Sequence, residues 1–352
     1  MKSNKTVTVV IPCRNEKKYI EPLLESLLAQ DLTGIECEVL ISEGMSDDGT
    51  REAIAKFVPR FRGGPYRELR VVDNPEKIVA PGLNRAIRQA WGEYIIRLDA
   101  HSRYAPDYLR QSVEALEATG AWNTGGPTIT EAKGYTQEAI ALAFHSPFGS
   151  GGARFHDTAY EGWVDTVMFG CWRKDKLIEL GLFDEELVRN QDDELNLRIQ
   201  RAGGKIFQTP KIRFWYSPRS TLKGLWKQYY QYGYWKVRVL RKHHIPASWR
   251  HLVPGSFVGA VGLFGILALL SLAVPALAMS RWMLAAVVGT YVAASMAATV
   301  AVCAKPARWK YIPIMPFVFA AFQFSYGLGF LRGLFDLSTN REAASTLSTL
   351  SR

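Results

Sequence analysis

Along the N-terminal half of the chain, short β-branched runs alternate with longer stretches of helical spacing. Thr6–Ile11 is rich in Val and Ile and predicts a strand that stops at Pro12. Tyr19–Gln30 follows with Ile20, Leu23, Leu24, Leu27 and Leu28 three and four apart, the spacing of a helix with one buried face. Glu38–Ser42 predicts a second strand, closed by the turn-rich Gly44–Gly49, after which Thr50 is expected to cap a helix through Phe57. Leu69–Val72, a helix around Pro81–Trp91, and Tyr94–Leu98 repeat the alternation. Strands separated by helices of this length predict an α/β domain with a doubly wound, mostly parallel sheet. In such sheets ligands bind beyond the carboxyl ends of the strands. Pro12–Glu16, Glu43–Thr50 and Asp99–His101 are therefore the places to look for chemistry.

The pattern changes after residue 250. Leu252–Ser280, Trp282–Ala304 and Tyr311–Leu331 are charge-free stretches of 29, 23 and 21 residues. Each reaches the roughly 20 residues that a helix needs to cross a bilayer. Spans are expected at about 255–279, 282–304 and 311–331, with Pro313 and Pro316 kinking the third or making it re-entrant. Just before them, Leu222–His243 interleaves Trp226, Tyr229, Tyr230, Tyr232, Tyr234 and Trp235 with six Lys and Arg. That mixture suits an amphipathic helix on an anionic leaflet better than a grip on nucleic acid, and no nucleic-acid partner is expected. The expected organisation is a domain over 1–215, an interface helix region over 216–250, a membrane domain over 251–335 and a tail over 336–352.

Charge assigns the sides. The whole chain carries 43 Lys+Arg against 33 Asp+Glu, a balance of +10. Residues 1–194 carry 23 basic and 31 acidic side chains (23 − 31 = −8), whereas 195–251 carry 13 basic and no acidic ones. By the positive-inside bias, the N-terminal domain is expected in the cytoplasm, on a multi-pass protein of the inner membrane. Lys305, Arg308 and Lys310 between the second and third stretches agree, as does the lone Arg281 between the first and second. Three crossings would put the C-terminus outside. Cys13, Cys37, Cys171 and Cys303 lack metal-ligand spacing and are expected as reduced thiols.

No glycine-rich loop follows the first strand, and the P-loop spacing of Gly, Gly, Lys and Ser/Thr is absent. A diphosphate bound here is thus not cradled by backbone amides. A metal held by Asp99 and His101 would do that job.

Four segments in order carry a resemblance: Val9-Val10-Ile11-Pro12-Cys13-Arg14-Asn15-Glu16, Glu43 through Thr50, Leu98-Asp99-Ala100-His101, and Gln191-Asp192-Asp193-Glu194-Leu195. Together, over about residues 6–245, they resemble the family-2 inverting glycosyltransferases, whose fold binds nucleotide-diphosphate sugars. More narrowly, Leu83-Asn84-Arg85, Arg97-Leu98-Asp99-Ala100-His101, Val164-Asp165-Thr166 and Leu187–Glu194 are similar to bacterial exopolysaccharide glucosyltransferases of the succinoglycan type. The resemblance implies that Pro12, Arg14, Asn15, Glu16, Glu43, Asn84 and Asp99 bind the nucleotide sugar. It also implies Mn²⁺ or Mg²⁺ on Asp99 and His101, the latter standing where the usual motif has a second Asp. Inverting transfer is one displacement, and one carboxylate must take the acceptor's proton. The family pattern puts that base at Asp192, while Asp193 and Glu194 have a simpler role as partners of a helix N-terminus. Asp165, Gly170, Gln191, Gln228, Gln231 and Trp235 are implied on the acceptor or diphosphate side. His145–His156 reads equally as a lid or as a plain connection.

The implied activity is transfer of a hexose, glucose from UDP-glucose, to a polyprenyl-pyrophosphate-linked saccharide, with partners expected among the proteins of a polysaccharide-assembly pathway. A synthase acting on polyprenyl monophosphate is the alternative of the same class. An inert membrane scaffold, motivated by Gly44, His101 and Gln191, is the alternative of another class.

Overall fold

The computed structural model describes residues 4–245, 248–339 and 341. Most of the tail expected over 336–352 therefore lies outside the described residues. The chain divides into two units, 1–131 with 154–217 and 132–153 with 218–352.

The first unit opens as the periodicity predicts: β1 (Lys5–Cys13), α1 (Lys17–Leu28), β2 (Ile35–Glu43), α2 (Thr50–Phe57), β3 (Tyr66–Asp73), α3 (Val79–Gln89) and β4 (Tyr94–Arg97). It continues with β5 (Arg103–Tyr104), α4 (Tyr108–Thr119), β6 (Asn123–Gly125) and β7 (Thr128–Thr130). The chain then leaves for the second unit as α5 (Tyr135–Phe144) and α6 (Pro147–Ser150). It returns with β8 (Gly162–Val164), β9 (Gly170–Arg173), α7 (Lys174–Glu179), α8 (Gln191–Arg201), β10 (Ile206–Gln208) and β11 (Phe214–Tyr216).

The main sheet has the order β3-β2-β1-β4-β9-β6-β10-β8, and β5-β11-β7 form a second, small sheet. Strands β1 to β4 are mutually parallel, whereas β9 runs antiparallel to both β4 and β6. Alternate residues feed two cores. Val7, Val9, Ile11, Val39 and Ile96 pack with α1, α2 and α4, while Val10, Leu40 and Ile95 pack with α3, α7 and α8. Helices on both faces make the sheet doubly wound.

Two local expectations change. Pro12 does not stop β1, which pairs with β2 through Cys13. Val10 accepts from Leu98 N–H on the β4 side, so by alternation Pro12 faces the same side, beyond the last register pair Val10–Arg97. No ladder donor is lost there. Nor does Thr50 cap α2. It is the first helical residue, and its N–H donates to Asp48 Oδ1 at 3.0 Å, so Asp48 supplies the cap.

The second unit contains α5, α6 and the helices α9 (Leu222–His243), α10 (Val253–Leu270), α11 (Met279–Val302) and α12 (Met315–Ser338). Ala139, Ile140, Ala143 and Phe144 of α5 share a core with Leu225 of α9 and with Met315, Val318, Phe319 and Phe322 of α12. The His145–His156 segment holds the single-turn α6, capped by Ser146, and a 3₁₀ turn over Arg154–His156. Among the described residues three helices, Trp249–Leu270, Pro275–Val302 and Met315–Ser338, are long and apolar enough to cross a membrane. Their limits differ from the charge-free runs for identifiable reasons. Arg281 lies inside a helix and donates from Nε to Ser271 Oγ at 2.6 Å, so the first turn falls at 271–274, ahead of a 3₁₀ start over Pro275–Leu277. Pro316 sits in the first turn of α12, where no N–H is missed, and Pro306–Tyr311 before it is 3₁₀.

Candidate active site

The carboxyl ends of β1, β2 and β4 meet the start of α8. Beyond β1 the chain turns through Asn15, whose φ of 54° is left-handed. Its N–H donates to Ser46 Oγ at 2.9 Å, and its Oδ1 accepts from Asp47 N–H at 3.1 Å. Glu16 N–H donates to Thr50 Oγ1 at 2.8 Å and Lys17 N–H to Asp48 Oδ2 at 3.1 Å. The β1 and β2 end loops are thereby fastened together, and the Arg14 side chain lies over Gly44. Glu43 is fully buried. Its two oxygens take Ser46 N–H at 2.8 Å and Arg51 at 3.3 Å, so its carboxylate braces its own loop.

Past β4, Tyr104 OH accepts from Asp99 N–H at 2.6 Å, and Tyr104 is set among Tyr108, Phe169 and Phe214. Asp99 Oδ1 stands 2.9 Å from His101 Nδ1, with Glu16 Oε1 3.6 Å from the same nitrogen. Donor atoms of Glu16, Asp99 and His101 lie within 4.8 Å of one another. Two carboxylates and an imidazole form a set suited to Mn²⁺, and Glu16, almost completely buried, is a member that the motif reading placed on the nucleotide instead. Burial works to raise the Asp99 pKa, but His101 beside it and Arg97 outweigh burial and hold it below the ordinary carboxylate range.

Arg97, the last residue of β4, is the feature that motif reading left without a role. Its side chain is 6% exposed and its guanidinium lies 5.8 and 5.9 Å from the ring centres of Phe169 and Phe183. It donates to Asp192 Oδ1. An arginine closing an otherwise apolar strand was the available signal, since such a charge is buried only against a partner. Burial pushes the Asp192 carboxyl above its usual value; Arg97 offsets this in part, while Asp193 and Asp99 add to the rise.

The three acids at the head of α8 separate by partner. Asp193 accepts from Thr166 OH at 3.3 Å, Glu194 pairs with Arg198 at 2.7 Å, and Asp192 meets Arg97. Behind them a buried amide chain sets the helix: Asn123 donates to Asn196 at 2.8 Å, and Asn196 to Thr166 at 2.8 Å. Gln191 is buried at the first position of α8.

Other expected residues fall elsewhere. Asn84 is buried and clamps the 183–185 loop, donating to Phe183 O and Glu185 Oε1 at 2.8 Å and accepting from Phe183 N–H at 2.9 Å. Asp165 is half-buried at the end of β8, its carbonyl accepting from Gln200 at 2.6 Å. Gly170 pairs with Arg97 across β4 and β9, at φ 134°. A Cβ there would stand 2.4 Å from Asn123 Oδ1 and 2.6 Å from the Trp172 ring, so the space above Gly170 is filled by the protein. Gly170→Ala is expected to cost about 1–3 kcal/mol. A thermal melt that does not move would show that β9 can yield. Gln228, Gln231 and Trp235 are buried on α9 in the second unit.

A sheet of this order, with acidic and imidazole groups at its strand ends and a carboxylate opening the next helix, has the architecture of a glycosyltransferase. Residues 8–176 match the family profile described as Glycosyl transferase family 2. Over 330 residues the chain is 32% identical to the succinoglycan biosynthesis protein ExoA of Rhizobium meliloti (strain 1021), covering 93% of this chain and 94% of that one. The chain belongs to glycosyl transferase family 2. It is also 27% identical, over 258 residues, to the dolichyl N-acetyl-alpha-D-glucosaminyl phosphate 3-beta-D-2,3-diacetamido-2,3-dideoxy-beta-D-glucuronosyltransferase of Methanococcus voltae, covering 72% of this chain and 78% of that one. In fold it resembles the mannosyltransferase PcManGT from Pyrobaculum calidifontis, solved with GDP-Man and Mn²⁺, at a TM-score of 0.56 and 18% identity over 94% of this chain and 87% of that one.

Proposed function

We propose that this glycosyltransferase inverts the donor anomeric centre and moves glucose from UDP-glucose to a polyprenyl-pyrophosphate-linked saccharide, at the cytoplasmic face of the inner membrane, in exopolysaccharide synthesis. The observation that carries the reading is the pairing of Asp192 with Arg97, two residues before Asp99 on the same strand end. Asp192 takes the proton of the acceptor hydroxyl while that oxygen bonds to the anomeric carbon and the carbon–oxygen bond to UDP breaks. Arg97 keeps the carboxylate oriented. Asp99 and His101, with Glu16 beside them, would hold a divalent cation that offsets charge on the departing diphosphate. The relative named for succinoglycan biosynthesis supports an exopolysaccharide product, and the one named for transfer to a dolichyl-linked sugar phosphate supports a lipid-linked acceptor. The basic segment 195–251 supports the cytoplasmic placement.

Calorimetric titration of UDP into detergent-purified protein tests the donor side. Binding is expected with Mn²⁺ and to weaken without it. Silence from a folded sample toward UDP, GDP and dTDP alike would overturn the proposal. His101→Ala is expected to keep the fold and weaken the Mn²⁺ response of UDP binding about 10-fold or more. An unchanged response would remove His101 as a ligand.

A further inference from the structure

We infer that α12 does not cross the bilayer: it lies with α9 along the membrane surface, so α10 and α11 are the crossing pair and the end of α12 stays on the face that carries the first unit. This goes beyond the proposed reaction and does not depend on which sugar is moved.

Helices α10 and α11 have the character of a crossing hairpin. They run antiparallel, with Phe257 stacked on Tyr291 at 4.7 Å and Arg281 bonded back to Ser271. Trp249 precedes α10 and Trp309 follows α11, while Trp282 marks the opposite end; all three are exposed, as interfacial anchors are. Only 11% of each apolar stretch is buried in the protein, against 50% for α12.

Helix α12 keeps company with α9. Tyr229 meets Phe322 at 4.4 Å between ring centres. A Cβ on Gly329 would stand 2.0 Å from the Tyr230 carbonyl oxygen, one on Gly233 would stand 2.0 Å from that of Tyr326, and one on Gly333 would stand 2.8 Å from that of Tyr234. Small residues spaced to bring two backbones together, Gly329 and Gly333, lie on the α12 side of this seam. Tyr234 OH then reaches Asp336 Oδ2 at 3.2 Å, and Arg332 pairs with Asp336 at 3.0 Å. The numbering of both helices rises together along the contact, so α12 from Phe322 to Asp336 shares the depth of α9.

That depth cannot be hydrocarbon. Helix α9 carries Lys223, Lys227, Lys236, Arg238, Arg241 and Lys242, and ionised groups at the bilayer centre are costly. The contacts of α12 on α10 agree. Phe330 covers Gly255, Gly327 faces Pro254 and Val258, Phe324 meets Phe257 at 5.2 Å between ring centres, and a Cβ on Gly259 would stand 3.7 Å from Leu331. Further along α10, a Cβ on Gly262 or Gly265 would meet no other part of the protein within 4 Å. The side-chain approaches of α12 to α10 thus lie at Pro254–Gly259, near the start of α10. The outer side of α12 still suits lipid. Phe317, Leu328 and Phe335 are exposed and stand 11 and 7 residues apart (328 − 317 and 335 − 328), which places them on one helical face about 27 Å long. The partner that fits this face is the headgroup–acyl boundary.

Single cysteines in the full-length protein test the sidedness, labelled with a membrane-impermeant maleimide in spheroplasts and in inverted vesicles. Glu52→Cys reports the first unit, Ala273→Cys the α10–α11 turn and Ser338→Cys the end of α12, all at exposed positions. Ser338→Cys is expected to label from the Glu52→Cys face, and Ala273→Cys from the other. Labelling of Ser338→Cys from the Ala273→Cys face would overturn the inference. If Ser338→Cys reacts from neither face, protease removal of a C-terminal epitope on the same membranes decides by the same comparison. Glu52→Cys reacting from outside the cell would refute the cytoplasmic placement proposed above without touching this result.

Discussion

Asp192→Asn is expected to lower kcat by about 10²–10⁴-fold, the usual contribution of a positioned general base, while UDP affinity stays at its wild-type value. The substitution keeps the shape and an oxygen to accept from Arg97, so it isolates proton acceptance from packing. Steady-state turnover with UDP-glucose and a lipid-linked acceptor, set beside UDP titration, reads the two effects separately. Wild-type turnover in the variant would remove Asp192 as the base. The pH dependence follows from burial. The Asp192 carboxyl titrates above its ordinary value because burial disfavours the charge, and Arg97 only partly compensates. A base works when ionised, so kcat should fall as pH drops through that raised value, and Asp192→Asn should lose this acid limb. For folding, the sign is opposite. A carboxyl raised in the native state contributes stability below its unfolded pKa and loses that contribution as pH rises through the native one.

The sheet and most of its helices were legible because periodicity survives wherever a face is buried. β1, β2 and β4 each hold a short apolar run, Val9–Ile11, Val39–Ile41 and Tyr94–Ile96, and α1 carries its Leu and Ile three and four apart. What composition could not convey was how far an apolar helix is covered by its own protein. Tyr311–Leu331 is charge-free like its two predecessors, yet half of α12's apolar stretch is buried because glycines admit α9. Chain excursions were equally silent: nothing local in 132–153 announces that α5 packs with α12 rather than with the sheet around it.

At the site, motif order located the strand ends but not the use of each side chain. Glu43 and Asn84 have the residue types that a nucleotide site uses, and each also hydrogen-bonds a loop, which motif order does not convey. Gly170 has its freedom consumed by Asn123 and Trp172. Conversely, Glu16 joins Asp99 and His101 from a strand that is distant in sequence, a juxtaposition that only the parallel pairing of β1 with β4 creates.

The second large effect falls on Arg97. Its guanidinium lies near two aromatic rings, opposite Gly170 and against Asp192, in a place where charge is tolerated only as half of a pair. Arg97→Met removes the cation that favours ionised Asp192. Because an opposite charge at contact distance lowers a carboxyl pKa by about 1–3 units, its loss should move the acid limb of kcat to higher pH by a similar interval. Turnover below that limb should fall roughly 10-fold per unit. Arg97→Lys keeps the charge but not the planar fork, so it should return the limb toward the wild-type position while recovering kcat only in part. A purely structural Arg97 behaves otherwise: both variants would melt earlier, and neither would displace the pH profile. The pH dependence of kcat in the three proteins, taken alongside their melting curves, separates the two. A limb unmoved in Arg97→Met would mean that Arg97 shapes the strand end without tuning the base.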